Sequence, residues 1–249
     1  MAIAPLNLTT PSLKHSFFAL TSNMLTTLPN TLHLDTDDFS FDPKSGRFRV
    51  ATGAGKGSFI SRAAVLNQTR LYLDRQKVEL GTLGDRLSTR SITLPEFQRE
   101  AGNNLRRIHI ASAVLGKGGR DKMTQSDWDK VQETIKRQLY KGRGEDGKPF
   151  GIKHLAAEWK AGKVSPAQLK ARLGLYAQSG VISYSTAELN EAKKRGVRRG
   201  KRVLAIGGDH CSECVTYASR GVVNLSDIIP IGVACSCRGN CLCVIEFED

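Results

Sequence analysis

The chain has 249 residues, with 37 Lys and Arg against 24 Asp and Glu and a formal charge of +13, which is length enough for one large domain or two small ones that each bury a core. No apolar run reaches the roughly 18 to 20 residues of a membrane helix, and Met1-Ala2-Ile3-Ala4-Pro5 lacks the basic start and apolar stretch of a secretory signal. The expectation is therefore assembly in a cytoplasm, with no membrane partner.

Residues 1–57 read as an extended arm. Pro5, Pro11 and Pro29 punctuate its first forty residues, where only Leu13 to Thr27 suits a short helix. Asp42-Pro43-Lys44-Ser45-Gly46 is turn chemistry between Phe39–Phe41 and Arg47–Ala51, so a small hairpin is expected there. Gly53-Ala54-Gly55-Lys56-Gly57-Ser58 imitates a phosphate loop, yet Val50 stands where the first glycine belongs and Gly57 where the hydroxyl belongs. That stretch reads as a flexible joint.

Residues 58–196 carry helical periodicity and form the expected helical body. Ile60, Ala63, Ala64, Asn67, Leu71 and Val78 share one face of a first helix that runs to about Leu80 and resumes through Leu87. Thr93-Leu94-Pro95-Glu96 spells a capping box for a second, with Phe97, Leu105, Ile108 and Leu115 turned inward and a stop at Gly116. Thr124-Gln125-Ser126-Asp127, or Ser126 itself, caps a third, striped by Trp128, Val131, Ile135 and Leu139 and ending by Gly142. After the charged loop from Lys141 to Lys148, Phe150, Ile152, Leu155 and Trp159 mark a helix closed by Gly162. Ser165-Pro166-Ala167-Gln168 begins the next, with proline at the first helical position, where its missing N–H costs nothing. Ser185-Thr186-Ala187-Glu188 is expected to begin the last, which reaches Arg195. Trp128, Trp159 and Tyr176 sit at core spacing. His109 and His154 each stand alone and read as polar-face or capping residues.

The basic excess is concentrated. Residues 1–40 hold one basic and three acidic side chains and residues 203–249 two and six, leaving 34 basic against 15 acidic between them. Lys193, Lys194, Arg195, Arg198, Arg199, Lys201 and Arg202 put seven positive charges into ten positions, which suits either a solvated linker or a strap contacting phosphate or an acidic protein face. Beyond it, Val203-Leu204-Ala205-Ile206 and Cys243–Phe247 read as strands of a small cysteine-rich β module spanning residues 197–249.

All six cysteines fall in that module. Cys211-Ser212-Glu213-Cys214 lets two sulfurs reach one tetrahedral ion through a tight turn, and a second cluster some twenty residues on can close the shell, the arithmetic of a structural Zn²⁺ site. Cys235, Cys237, Cys241 and Cys243 supply four thiols for the two remaining places, and six cysteines can also staple a small fold as disulfides or stay free. His210 is a further ligand, an activator of the Cys211 thiol or an exposed turn residue. In each case the segment acts as a clasp.

The series Cys-x-x-Cys, a gap of about twenty residues, Pro-x-Gly and Cys-x-x-x-Cys-x-Cys before an apolar strand resembles the C-terminal module of tailed-phage minor head proteins of the Mu-type head morphogenesis family. The residues that carry the likeness are Cys211, Cys214, Pro230, Gly232, Cys237, Cys241 and Cys243. Looser matches at Ser45-Gly46-Arg47-Phe48, Ser61-Arg62-Ala63-Ala64, His109-Ile110-Ala111, Leu115 to Gly119 and Leu175-Tyr176-Ala177 extend it over residues 41–249. The family places His-Pro before a final Cys-Arg-Cys, where this chain has Arg238-Gly239-Asn240 and Leu242. The resemblance implies a structural protein of a phage virion head, near the portal vertex or on the inner capsid, that assists head assembly or genome retention. Its implied partners are the portal, the major capsid protein and packaged DNA, with Zn²⁺ on Cys211, Cys214, Cys237, Cys241 and Cys243.

Paired catalytic carboxylates, a nucleophile elbow and His-Glu-x-x-His are missing from the sequence, so neither an enzyme nor a small-molecule substrate is expected. Two alternatives rest on the residues alone. One is a zinc-dependent DNA-binding protein using the basic strap, and the other a thiol oxidoreductase using Cys211 and Cys214. The expected fold is mainly α, a helical body with an extended N-terminal arm and a cysteine-clasped C-terminal β module.

Overall fold

The computed structural model describes residues 39–51, 56–143, 147 and 149–248. The expected arm before residue 39, with its helix at Leu13–Thr27, and part of the 53–58 joint and of the 141–148 loop lie outside the described residues.

Strands β1 (Phe39–Asp42) and β2 (Arg47–Val50) form the expected hairpin, pairing Phe41 with Phe48. Asp42 fixes its turn by accepting from the Lys44 N–H at 3.1 Å and the Ser45 hydroxyl at 2.8 Å. Alternation does the rest, since Phe39, Phe41, Phe48 and Val50 all point into the core. The short β3 (Phe59–Ile60) adds to the β2 edge.

The body is helical. It comprises α1 (Arg62–Ser88), α2 (Leu94–Lys117), α3 (Gln125–Lys136), α4 (Ile152–Lys160), α5 (Pro166–Gln178) and α6 (Gly180–Lys194). A π-helical turn at Arg137–Lys141 prolongs α3 into a two-residue strand pair, β4 (Gly142–Arg143) with β5 (Pro149–Phe150). Capping boxes open α2 at Thr93 with Glu96, α3 at Thr124 with Asp127 and α5 at Ser165 with Gln168. Each satisfies backbone N–H groups that a helix start leaves without an internal acceptor.

Two long-range packings hold the body, α1 on α5 and α2 on α6. Leu73, Leu80, Phe97, Leu105, Ile108, Leu115, Leu169, Leu173 and Tyr184 are fully buried between them. At the α2–α6 crossing the backbones touch, because Gly116 lies where any side chain would strike the Tyr184 carbonyl. Trp159 and Tyr176 pack on this core as expected, while Trp128 is half-buried beneath the Arg120 guanidinium.

The C-terminal module adds β6 (Arg199–Val203), α7 (Ser212–Ser219), β7 (Val223–Asn224) and β8 (Val244–Glu248). Its antiparallel sheet has the order β7-β6-β8, with Arg202 opposite Ile245. A second, smaller core gathers Leu189 and Ala192 of α6 with Leu225, Ile228, Ile231, Ile245 and buried cysteines. Among the described residues, no helix is long and apolar enough to cross a membrane.

Several expectations are corrected. The buried face of α1 is Val65, Leu66, Thr69, Leu73, Gln76 and Leu80, whereas Ala63, Asn67, Leu71 and Val78 of the expected stripe face outward. Helix α6 begins at Gly180, not Ser185, so Ser185 and Glu188 are buried helical residues rather than a start signal. Glu188 pairs with Arg62 at 2.7 Å and accepts from the Tyr184 hydroxyl at 3.2 Å. His109 is not on a polar face, being fully buried with Nδ1 2.7 Å from the Ser183 hydroxyl. The strand expected at Val203–Ile206 lies earlier, over Arg199–Val203, and Ile206 is exposed.

Candidate metal centre

Helix α7 begins at Cys211, whose extended backbone (φ −70°, ψ 160°) makes it the N-cap, and Cys214 sits one turn in. Both thiols therefore lie at the positive end of the helix, where a thiolate is favoured. The return segment carries Cys235 and Cys237 into a 3₁₀ turn at Arg238–Asn240, and Cys241 and Cys243 leave that turn toward β8. Arg238 takes a left-handed φ of 46°, and Gly232 one of 81°. A side chain at Gly232 would meet the Arg238 carbonyl at 2.6 Å, so the glycine of Pro-x-Gly is needed for the segment to fold back.

The sulfurs converge. Cys237 Sγ lies 3.3 Å from Cys211, 3.4 Å from Cys214 and 3.5 Å from Cys235, and Cys214 lies 3.5 Å from Cys241. A disulfide would need about 2.05 Å, and all six thiols are free, so the stapled alternative is not the arrangement adopted. Thiolates around one tetrahedral ion stand about 3.8 Å apart, given a metal–sulfur bond near 2.3 Å. The four separations given are slightly shorter than that. Two overlapping groups have all their sulfurs within 4.8 Å of one another, Cys211 with Cys214, Cys235 and Cys237, and Cys214 with Cys241 and Cys243. The cluster can hold a metal ion. Cys235, absent from the ligand set that the resemblance implied, belongs to the first group.

Electrostatics differ along the cluster. Burial opposes ionisation of Cys211, yet the backbone N–H groups of Cys237 and Cys214 and the Cys237 thiol bring its pKa down to about 6. Burial raises Cys214 and Cys237, and lifts Cys243 to about 11. A divalent cation reverses that preference by deprotonating its thiol ligands. Beside Cys214 lies Arg202, 5% exposed, with Nη1 at 4.0 Å from the sulfur and Nη2 donating to the Ile229 carbonyl at 2.5 Å and the Pro230 carbonyl at 3.4 Å. Among the described residues no carboxylate lies within ion-pair distance of Arg202, and the face of Tyr217 covers its guanidinium at 4.6 Å.

This disposes of Arg202 as a surface contact, since its charge is turned toward the sulfurs. Lys201 is engaged with Glu246 at 3.2 Å and Glu248 at 3.7 Å. Arg195 lies 4.3 Å over the Phe41 ring. Lys193, Lys194, Arg198 and Arg199 remain exposed. The basic run is thus no linker, because its second half is the central strand of the module's sheet.

The module is fastened to the body at several points. Ile231 N–H donates to the Ser185 hydroxyl at 2.8 Å, and Arg70 of α1 donates to the Cys243 carbonyl at 2.8 Å. The Arg62 guanidinium stacks 4.1 Å over Phe247. Gly239 abuts the backbone where α5 ends, since a side chain there would meet Gln178 at 2.6 Å. For this site only the cysteines had a sequence signal that pointed to it, because Ser185, Arg70 and Arg202 act through residues remote in the chain. No protein-family model, curated protein or solved structure matches this chain.

Proposed function

We propose that the chain is a structural part of a phage head, of the minor head protein type, whose C-terminal module is a Zn²⁺ clasp. The observation that carries this reading is the placement of the sulfurs, which are mostly buried at the joint between the β module and α1, α5 and α6. A metal held there ties the return segment to α7 and fixes the face that the module presents. Pro230 and Gly232, which carry part of the family likeness, both serve that joint, one through its carbonyl on Arg202 and the other through its left-handed turn. Portal, major capsid protein and packaged DNA are the partners this role requires, and Lys193, Lys194, Arg198 and Arg199 offer exposed charge for the last. The test is quantitative mass spectrometry of heads assembled by co-expression with the portal and capsid proteins of the same genome. A fixed copy number is expected, and absence from the particles would remove the virion role.

A thiol oxidoreductase is the second reading, favoured by Cys211 at the helix N-terminus with its pKa near 6. Cys237 within 3.4 Å of both members of the Cys211 and Cys214 pair argues against it, since a third thiol would capture the oxidised intermediate. Insulin reduction that vanishes in Cys211→Ser while the fold survives would reinstate it.

A further inference from the structure

The two sulfur groups meet at one atom. Cys214 Sγ belongs both to the set with Cys211, Cys235 and Cys237 and to the set with Cys241 and Cys243. One tetrahedral ion uses four of six thiols and leaves two buried and unligated, whereas two ions sharing a bridging thiolate use all six. The first set already has four sulfurs. The second has three and needs one more donor.

His210 lies outside that set of three but next to one of its sulfurs. Its Nδ1 is 3.9 Å from Cys243 Sγ, while Nε2 is 2.8 Å from the Ala205 carbonyl oxygen. A carbonyl only accepts, so Nε2 carries the proton and Nδ1 presents its lone pair on the Cys243 side, the tautomer a metal-bound imidazole requires. Charge points the same way. Six thiolates with two divalent cations leave a net charge of about −2. The buried Arg202 against the bridging sulfur and Arg70 on the Cys243 carbonyl supply two positive charges beside it.

We propose that the module binds two divalent ions in a thiolate-bridged centre, the first on Cys211, Cys214, Cys235 and Cys237, the second on Cys214, Cys241, Cys243 and His210 Nδ1. This rests on the metal reading of the clasp given above. Binding displaces the thiol protons to solvent, with no change of oxidation state.

Native mass spectrometry of the full chain, purified reduced and equilibrated with Zn²⁺, is expected to show two ions per chain. His210→Ala and Cys243→Ser should each bind one, and Cys235→Ser should weaken the other site while His210 still responds. For variants that fail to fold, ¹¹³Cd²⁺ loading of the wild-type chain gives an independent readout, two resonances of different donor set that both couple to the Cys214 β-protons. A single equivalent in the wild type, unaffected by His210→Ala, would overturn the second site and leave the clasp standing. No bound metal at all would overturn both.

Discussion

Arg202 shows how one residue changes meaning when its surroundings are known. In the sequence it closes a run of positive charge, but in the fold it is a buried guanidinium whose acceptors are two carbonyls and a sulfur. Removing it strands those acceptors, and a buried polar group left without its hydrogen-bond partner costs about 1 to 3 kcal/mol. Arg202→Ala is therefore expected to lower the urea midpoint strongly and to weaken metal retention in a chelator competition. By contrast, Arg198→Ala, on an exposed side chain, should shift stability by less than about 0.5 kcal/mol. Asp127 supplies a pH-dependent contribution. Burial works against its charge, but the Thr124 hydroxyl and N–H and the Lys117 ammonium at 3.0 Å hold its pKa below the usual carboxylate value. A folded pKa depressed below the unfolded one stabilises the protein above the unfolded pKa, and that stabilisation is lost as pH falls through the folded value. Asp127→Asn should accordingly flatten the acid limb of the stability curve, measured by denaturant melts from neutral pH down to about pH 3.

Among the elements, the α2–α6 crossing is the tightest. Gly116 faces the Tyr184 carbonyl and Ala187, and Gly180 at the other end of the same contact faces Leu73 and Ile108. Gly116→Ala cannot be absorbed by a rotamer change, because the obstacle is backbone. Overpacking of this kind costs typically 1 to 3 kcal/mol, and the variant should melt earlier while Gly162→Ala, which has open space but a left-handed φ of 67°, loses about 1 kcal/mol through strain. The helix starts were legible because capping is local. The Thr93 box with Glu96 forms as the sequence spells it, and the expected Ser165 cap proves to be a box with Gln168, each within four residues. Helix α6 was not legible at its start, since Ser185-Thr186-Ala187-Glu188 imitates a box whose serine is instead taken by Ile231 and whose glutamate is taken by Arg62. The stripe of α1 was misassigned for a related reason. That helix meets α2 and α5 on different sides, so its buried surface includes Thr69 and Gln76 and does not follow one apolar line.

At the scale of the whole molecule, two cores divide the labour. The large one joins the hairpin to α1 through α6, and the small one joins α6 to the cysteine module. Stripping metal from the reduced protein with a chelator should therefore release residues 197–249 to limited proteolysis while far-UV circular dichroism keeps most of its helical signal. Loss of the helical signal in step with the metal would show that the body depends on the clasp. What the sequence determined by itself was whatever depends on neighbours along the chain: the helical periodicity of the body, the Thr93 capping box and the Ser165 cap, the Asp42 turn, and a cysteine cluster of metal-binding spacing. Tertiary structure alone decided which sulfurs come together, why Arg202 faces them, and that a run of basic residues becomes the middle strand of a sheet. Those outcomes follow from approaches between segments dozens of residues apart, and a local pattern carries no record of the partner that will bury it.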